Sequence, residues 1–328
     1  MTALQSATGR LPRGAPGEGH ARRAQIGDRL FHGLTLAFAL AVLLVLAAII
    51  ASLAVGGWPA LRKFGFGFLV SSAWNPVKEN FGALAPIVGT LVTSIIALLV
   101  AVPVSFGIAI LLTELAPQWL RRPTSIAIEL LAAIPSIIYG MWGLFVFVPF
   151  YAHQVQPWII DYLGDVPVLG ALFDGPPLGI GISTAGLILA VMILPFISAV
   201  MRDVFETVPA VLKESAYALG CTTWEVCWRI VLPYTRTSVV GAVMLGLGRA
   251  LGETMAVTFV IGNAHDISPS IFLPGATISS TIANEFTEAV GDIYSSSLIA
   301  LGLMLFIISF AVLVLAKLML HRLAARVG

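Results

Sequence analysis

The sequence predicts an all-α integral membrane protein with six transmembrane helices and a folded helical hairpin between the fourth and the fifth. Three observations predict it. The 328 residues are 58% hydrophobic and only 11% charged, with a mean hydropathy of +0.97, whereas soluble domains are about 45–50% apolar and about 25% charged. Six apolar runs, at 30–55, 86–112, 124–150, 178–201, 238–262 and 294–320, reach the length of about 20 residues that a bilayer crossing needs. The basic residues, finally, divide unevenly between the connecting segments.

The first 28 residues are polar and rich in Gly, Pro and Arg, too long and loose for the charged front of a signal peptide. Residues 1–28 are expected to form a disordered cytoplasmic tail. Residues 29–85 then supply the first transmembrane helix and an outer interfacial segment, 86–320 a transmembrane core, and 321–328 a second cytoplasmic tail. With the N-terminus inside, only Arg62, Lys63 and Lys78 fall in outer segments and Arg249 falls within a span. All the other Lys and Arg lie in inner segments, and the segments 151–177 and 263–293 contain none. Cytoplasmic loops carry the excess of Lys and Arg, so both termini are expected in the cytoplasm. The outer segment 56–85 holds Trp58, Phe64, Phe66, Phe68, Trp74 and Phe81. Aromatic rings concentrate at the headgroup level, which predicts an interfacial belt or an amphipathic segment on the outer leaflet.

The inner connection 202–237 carries helix punctuation. Pro209 suits a first helical turn, where its missing N–H has no partner to lose. Gly220 follows a helix-forming run as a left-handed stop. Thr222 with Glu225 three residues later makes a capping box for a second helix, and Pro233 is expected to end it. Small residues at Ser215, Ala216 and Ala218 would admit a partner's backbone. Leu212, Leu219, Trp224, Trp228 and Ile230 offer apolar area, with Lys213 and Glu214 as charged contacts at the rim.

Span five contains Arg249 and, four residues on, Glu253. Arg249 is expected about 16 Å deep at about 1.5 Å per residue, where a charge costs at least about 2.5–3.5 kcal/mol. On one helix the two would share a face and neutralise each other. They read either as part of a transport path and its gate or as a structural pair locking two helices. Gly248 and Gly252 form a Gly-x-x-x-Gly pair that lets another helix approach. Glu129, read as the inner end of span three, is a further path candidate, unless it pairs with Arg121, Arg122 or Arg202. Pro135 and Gly140 predict a kink or close packing there.

The exclusions are equally direct. None of the four lysines follows a glycine, so there is no phosphate-binding Gly-x-x-x-x-Gly-Lys loop, and an ATPase must be a separate chain. Cys221 and Cys227 build neither a disulfide framework nor a metal site. His20, His32, His153, His265 and His321 are scattered with no metal-ligand spacing. No catalytic residue, cofactor or metal is expected, and a net charge of +1 gives no basis for a nucleic-acid partner.

The stretch Glu214-Ser215-Ala216, three residues, Gly220, nine residues, then Ile230-Val231-Leu232-Pro233 resembles the signature loop of ABC importer permeases. Ser215 in place of Ala is its one departure. Other stretches resemble the C-type permease of phosphate-specific (Pst) importers: Trp74-Asn75-Pro76, Gly89 to Ser94, Ile134 to Gly140, Gly248 to Ala256 and Ser280 to Phe286. The resemblance covers about 56–318. It implies a type I ABC importer transmembrane domain in a bacterial inner membrane, working by alternating access. It implies a second permease subunit, a dimeric ATP-binding cassette ATPase docked on the loop, and an external phosphate-binding protein on the outer segments. It maps the family's functional Arg and Glu onto Arg249 and Glu253. A sulfate or molybdate importer is the alternative within the class. A channel or secondary transporter is the alternative outside it, but the inverted repeats typical of such transporters are not seen.

Overall fold

The computed structural model describes residues 18–164, 166–167 and 169–324. The chain divides into two units, 1–52 and 53–328. The first unit is the beginning of a long helix, α1 (Glu18–Phe64). The tail expected over 1–28 is therefore helical from residue 18, while residues 1–17 lie outside the described residues. Side chains from Gly27 to Ile49 are exposed around the whole circumference. A helix apolar on every side needs lipid or another chain around it.

In the second unit α1 ends at Phe64 and is followed by a turn of helix, α2 (Gly67–Val70). Two-residue strands β1 (Trp74–Asn75) and β2 (Asn80–Phe81) then pair antiparallel, Trp74 opposite Phe81. Asn75 makes the turn by accepting from the Lys78 amide at 3.0 Å, with Glu79 at φ +46°. The helices α3 (Leu84–Ile110) and α4 (Gln118–Ala132) come next. The short helices α5 (Ser136–Trp142), α6 (Val148–Phe150) and α7 (Gln156–Leu163) then run on through two π-helical turns, Gly143–Phe147 and Tyr151–Val155. After α8 (Leu169–Phe173) come α9 (Ile182–Glu206), α10 (Ala210–Ala218) and α11 (Thr223–Val226). A π turn at Cys227–Val231 leads into α12 (Leu232–Leu251), followed by α13 (Met255–Thr258), α14 (Ile278–Glu285) and α15 (Asp292–Ala324).

Among the described residues six helices are long and apolar enough to cross a bilayer: Gly27–Phe64, Leu84–Leu115, Ser136–Leu163, Ile182–Glu206, Thr223–Leu251 and Asp292–Leu318. α9 is the hub. Its apolar stretch is 67% buried, against 28% or less for the other five. It packs on α3, α4 and α12, with Ile188, Leu189, Ile193, Ile197, Met201 and Phe205 at the centre of the core.

Two expected spans are corrected. The third does not run 124–150. Pro135 lacks an N–H and disfavours helical backbone at Ile134, so α4 stops at Ala132 and the span begins at Ser136. The Tyr139 hydroxyl donates to the Leu131 carbonyl at 2.8 Å and steadies the break. The fifth span begins at Thr223 rather than 238, because Pro233 does not end its helix. A proline clashes with the carbonyl four residues back, here that of Arg229, and that carbonyl lies within the π turn Cys227–Val231. Widening the turn accommodates the ring. The same device recurs at Pro149 and Pro157, each two residues beyond a π turn.

The aromatic segment 56–85 is only partly exposed: Trp58 and Phe66 stay at the surface, but others turn inward. Phe68 and Phe81 are fully buried in a second apolar cluster with Ala60, Ile278, Leu298 and Leu301. Gly89 admits this cap: a Cβ there would collide with the Ala276 carbonyl oxygen. Beside it the Thr90 hydroxyl accepts from the Ile278 amide at 3.0 Å and closes the first turn of α14.

Candidate functional site

The hairpin between α9 and α12 is folded by the residues that punctuate it. Pro209 precedes α10, and Gly220 stops it at φ +85°. The Thr222 hydroxyl accepts from the Glu225 amide at 3.3 Å, and Glu225 Oε2 accepts from the Thr222 amide at 3.0 Å, closing the capping box. One face is anchored. Ala216, Val226, Cys227 and Val231 are buried in the main core, with Ile230 packed against it. The other face is bare. Val211 is 69% exposed, Leu219 86% and Trp224 65%, and Glu214, Ser215 and Pro233 are exposed beside them while Leu232 is half-buried. Lys213 is not a rim contact: its ammonium meets Glu114 Oε1, just beyond α3, at 2.5 Å, with 17% and 6% of the two side chains exposed.

The second site is the end of α12. The helix stops at Leu251, and Gly252 leaves helical geometry at ψ 0°. Glu253 thereby falls outside the register that would place it on the face of Arg249. Among the described residues no ion pair joins them. Glu253 Oε1 instead accepts from the Ala256 amide at 3.2 Å and caps the first turn of α13. Arg249 is exposed and sits where the unpaired carbonyls of a helix C-terminus favour a cation. Gly140 lets α13 settle on α5, since a Cβ there would lie 2.9 Å from the Phe259 ring and 3.0 Å from the Met255 carbonyl oxygen. The close helix contact of α12 is at Gly246, where a Cβ would meet Ile197 Cδ1 at 2.5 Å. Gly248 meets nothing within 4 Å, and Gly252 only its own helix. The Gly-x-x-x-Gly pair thus faces away from the rest of the chain, on a stripe with Gly241 and the exposed Leu245. Glu129 lies on α4, before the third span rather than within it, with Oε1 3.1 Å from Arg202 Nη1.

At the opposite end of the helices a polar cluster sits within the aromatic cap. The indole N–H of Trp74 donates to Glu285 Oε2 at 2.6 Å and the Tyr294 hydroxyl to the same oxygen at 2.7 Å. His265 Nε2 lies 2.9 Å from Oε1. Burial opposes charge on this carboxyl, but the hydrogen bonds from His265, Tyr294 and Trp74 outweigh it and hold Glu285 below the usual carboxylate range. In the sequence His265 is one of five scattered histidines, and Trp74 and Glu285 stand out only within stretches of resemblance. Trp74 and Glu285 are 211 positions apart, and no local spacing links them.

The family of binding-protein-dependent transport system inner membrane components matches residues 104–326. A phosphate transport system permease protein PstC from Mesorhizobium japonicum is 62% identical over 307 residues, covering 94% of this chain and 94% of that protein. The protein of the same name from Pasteurella multocida is 60% identical over 301 residues, 92% of this chain and 94% of that one. A solved bacterial alginate ABC transporter, in complex with an alginate pentasaccharide-bound periplasmic protein, superposes with a TM-score of 0.60 at 16% identity. The match covers 92% of this chain and 97% of that one, and at that identity it shows the fold alone. With six apolar helices, a capped hairpin before the fifth and this relationship along nearly its whole length, the chain belongs to the PstC family of ABC transporter permeases.

Proposed function

We propose that this chain is one of two permease subunits of an ATP-driven phosphate importer, oriented with the α10–α11 hairpin in the cytoplasm. The observation that carries the coupling role is the hairpin's division into two faces. One face is locked to the core by Val226, Cys227, Val231 and the Lys213–Glu114 pair. The other offers Val211, Leu219 and Trp224. A bare apolar face on a rigid base is what a partner ATPase needs in order to push on the helices. Movement of the hairpin passes without a break into the fifth span, because the chain is helical from Thr223 to Leu251.

Arg249 ends that lever. Its guanidinium presents paired N–H donors that fit a phosphate oxygen pair, and among the described residues it forms no ion pair with a carboxylate. The glycine stripe beside it leaves space for a second permease and for the oxyanion between the two. Glu253 holds α13 and shapes the outlet. An external phosphate-binding protein delivers substrate to the end that carries the aromatic cap.

The test is uptake of labelled phosphate into proteoliposomes holding this chain with its partner permease, ATPase and binding protein, with sulfate and molybdate as competitors. ATP-dependent uptake that ignores both competitors is expected. Competition would move the substrate to another oxyanion, and uptake without ATP would overturn the coupling role of the hairpin.

A further inference from the structure

The cap cluster lies apart from Arg249 and from the α10–α11 hairpin, and its centre is a single carboxylate with three side-chain partners. One carboxylate, Glu285 at the end of α14, receives hydrogen bonds from three segments far apart in sequence. These are Trp74 on β1, His265 in the loop after α13, and Tyr294 in the first turns of α15. An ionised carboxylate only accepts, so all three partners donate, His265 through Nε2–H. The rings are stacked to suit. Trp74 lies on His265 with centroids 5.0 Å apart at 16°, and Phe81 on Tyr294 with centroids 5.0 Å apart at 14°. Trp74 meets Phe81 edge-on, also at 5.0 Å.

Everything converges on the base of the β1–β2 hairpin. Its strands have two residues each, and an isolated hairpin even of ordinary length is marginal in water. Its tip carries Val77, 94% exposed, and among the described residues the one ion pair at its side is the exposed Lys63–Glu79 at 3.1 Å. Exposed pairs contribute about 0–1 kcal/mol. The direction in which the tip points is therefore set at the base, by the buried Phe81 and the directional bond from Trp74 to Glu285, rather than by the hairpin itself. The same carboxylate holds the 262–277 loop through His265, and that loop follows directly on α13 and the break at Glu253.

We propose that Glu285 is a positioning residue of the outer face: its carboxylate aims the 74–81 hairpin, whose tip docks the external binding protein, and ties that hairpin to the loop leaving the translocation path. This rests on the importer reading above. Apolar packing alone would bury the rings but leave their orientation free. A carboxylate with three donors from three segments fixes it.

The experiment uses the whole complex in proteoliposomes, with Glu285→Gln, Trp74→Phe and Tyr294→Phe. Tyr294→Phe removes one donor and keeps its ring, so the outcome does not hang on whether Glu285→Gln assembles, while Trp74→Phe removes a donor together with part of the stack on His265. Phosphate-loaded binding protein is titrated against ATPase activity, and hydrogen exchange over residues 71–83 is read on the same samples without binding protein. The expected result is a half-saturating concentration raised about tenfold, as loss of about 1.4 kcal/mol gives. Basal and maximal ATPase rates stay unchanged, exchange over 71–83 is faster, and Tyr294→Phe adds little in the Glu285→Gln background. Unchanged exchange in the variants overturns the positioning role. Faster exchange with an unchanged half-saturating concentration overturns the hairpin as the docking element. A fall in maximal rate alone overturns both by assigning Glu285 to the path. If the wild-type complex is not stimulated by binding protein, the importer reading fails, and exchange over 71–83 still decides the positioning role.

Discussion

The Lys213 ammonium lies 2.5 Å from Glu114 Oε1, joining the first helix of the hairpin to the end of the second span across 99 positions of sequence. Both side chains are largely shielded, at 17% and 6% exposed, so this is a buried pair. Removing one partner of such a pair strands a charge and costs about 3–5 kcal/mol, whereas replacing both is far milder. Lys213→Met and Glu114→Gln are each expected to lower the melting temperature of the purified complex and to reduce uptake. The double variant is expected to be more stable than either single. A double variant as unstable as the sum of the two singles would show that the groups act independently.

Gly220 sits at φ +85° with no atom near its missing side chain. The strain of a replacement is thus purely backbone, about 1–2 kcal/mol for an ordinary residue and least for Asn or Asp. Gly220→Val is expected to tilt α10 against α11. ATP hydrolysis would continue while phosphate moved per ATP falls about tenfold, the equivalent of about 1.4 kcal/mol. Gly220→Asn is expected to keep most of the coupling. Equal coupling in Gly220→Val would remove the hinge from the mechanism.

These two sites differ in how far they were legible. Pro209, Gly220 and the Thr222–Glu225 box act within a few residues of one another, so spacing alone placed the first helix of the hairpin, its hinge and the start of the second helix, though not that helix's end. Span number was legible for the same reason, since bilayer thickness sets a minimum length. Pro135 is legible as a kink inside the third span but not as the point where that span begins, and the break at Gly252–Thr254 is not legible at all. They lie inside or beside apolar runs, where a hydropathy pattern continues regardless of backbone geometry. Arg249 and Glu253 are legible as charges in an apolar run, but the continuous helix expected between them ends at Leu251. The ties Lys213–Glu114 and Trp74–Glu285 depend on tertiary approach over 99 and 211 positions, which no periodicity encodes.

The absence of an Arg249–Glu253 ion pair among the described residues makes a swap informative. Arg249→Gln and Glu253→Gln are each expected to abolish uptake while leaving the complex assembled. Arg249→Glu combined with Glu253→Arg is expected to restore nothing, since the two charges do separate work. Recovery of uptake in the swapped variant, measured with labelled phosphate, would establish a direct pair and reverse the assignment.

Two glycines that look alike in sequence should behave oppositely. Gly89 faces the Ala276 backbone, which cannot move aside as a side-chain tip can. Overpacking of this kind costs about 1–3 kcal/mol or more. Gly89→Ala is expected to lower the amount of folded chain in membranes. Gly248→Leu meets open space within the chain, so the chain should accumulate normally. It should fail where another helix or the substrate must fit, seen as lost co-purification of the second permease or lost uptake. Normal uptake with Gly248→Leu would take the stripe out of both roles.

The charge on Glu285 gives the cap a pH dependence of definite sign. Its carboxyl is held below the usual range in the folded protein by the donors His265, Tyr294 and Trp74 acting against burial. A group with a depressed folded value stabilises at every pH above its unfolded value, about 4.3 for glutamate, and loses that contribution as pH falls through the folded value. Wild type should therefore melt above Glu285→Gln wherever the carboxylate is ionised, the margin reflecting charged hydrogen bonds of about 1.5–3 kcal/mol and growing where protonated His265 faces the carboxylate. Below the ordinary carboxylate range the margin should shrink, because protonated Glu285 loses charge as the amide already has. Melting of the purified complex by calorimetry across this range measures it. A margin that widens as pH falls below about 4.3, the ordinary glutamate value, would mean that the folded cap prefers the neutral acid, and that the three donors do not hold a carboxylate.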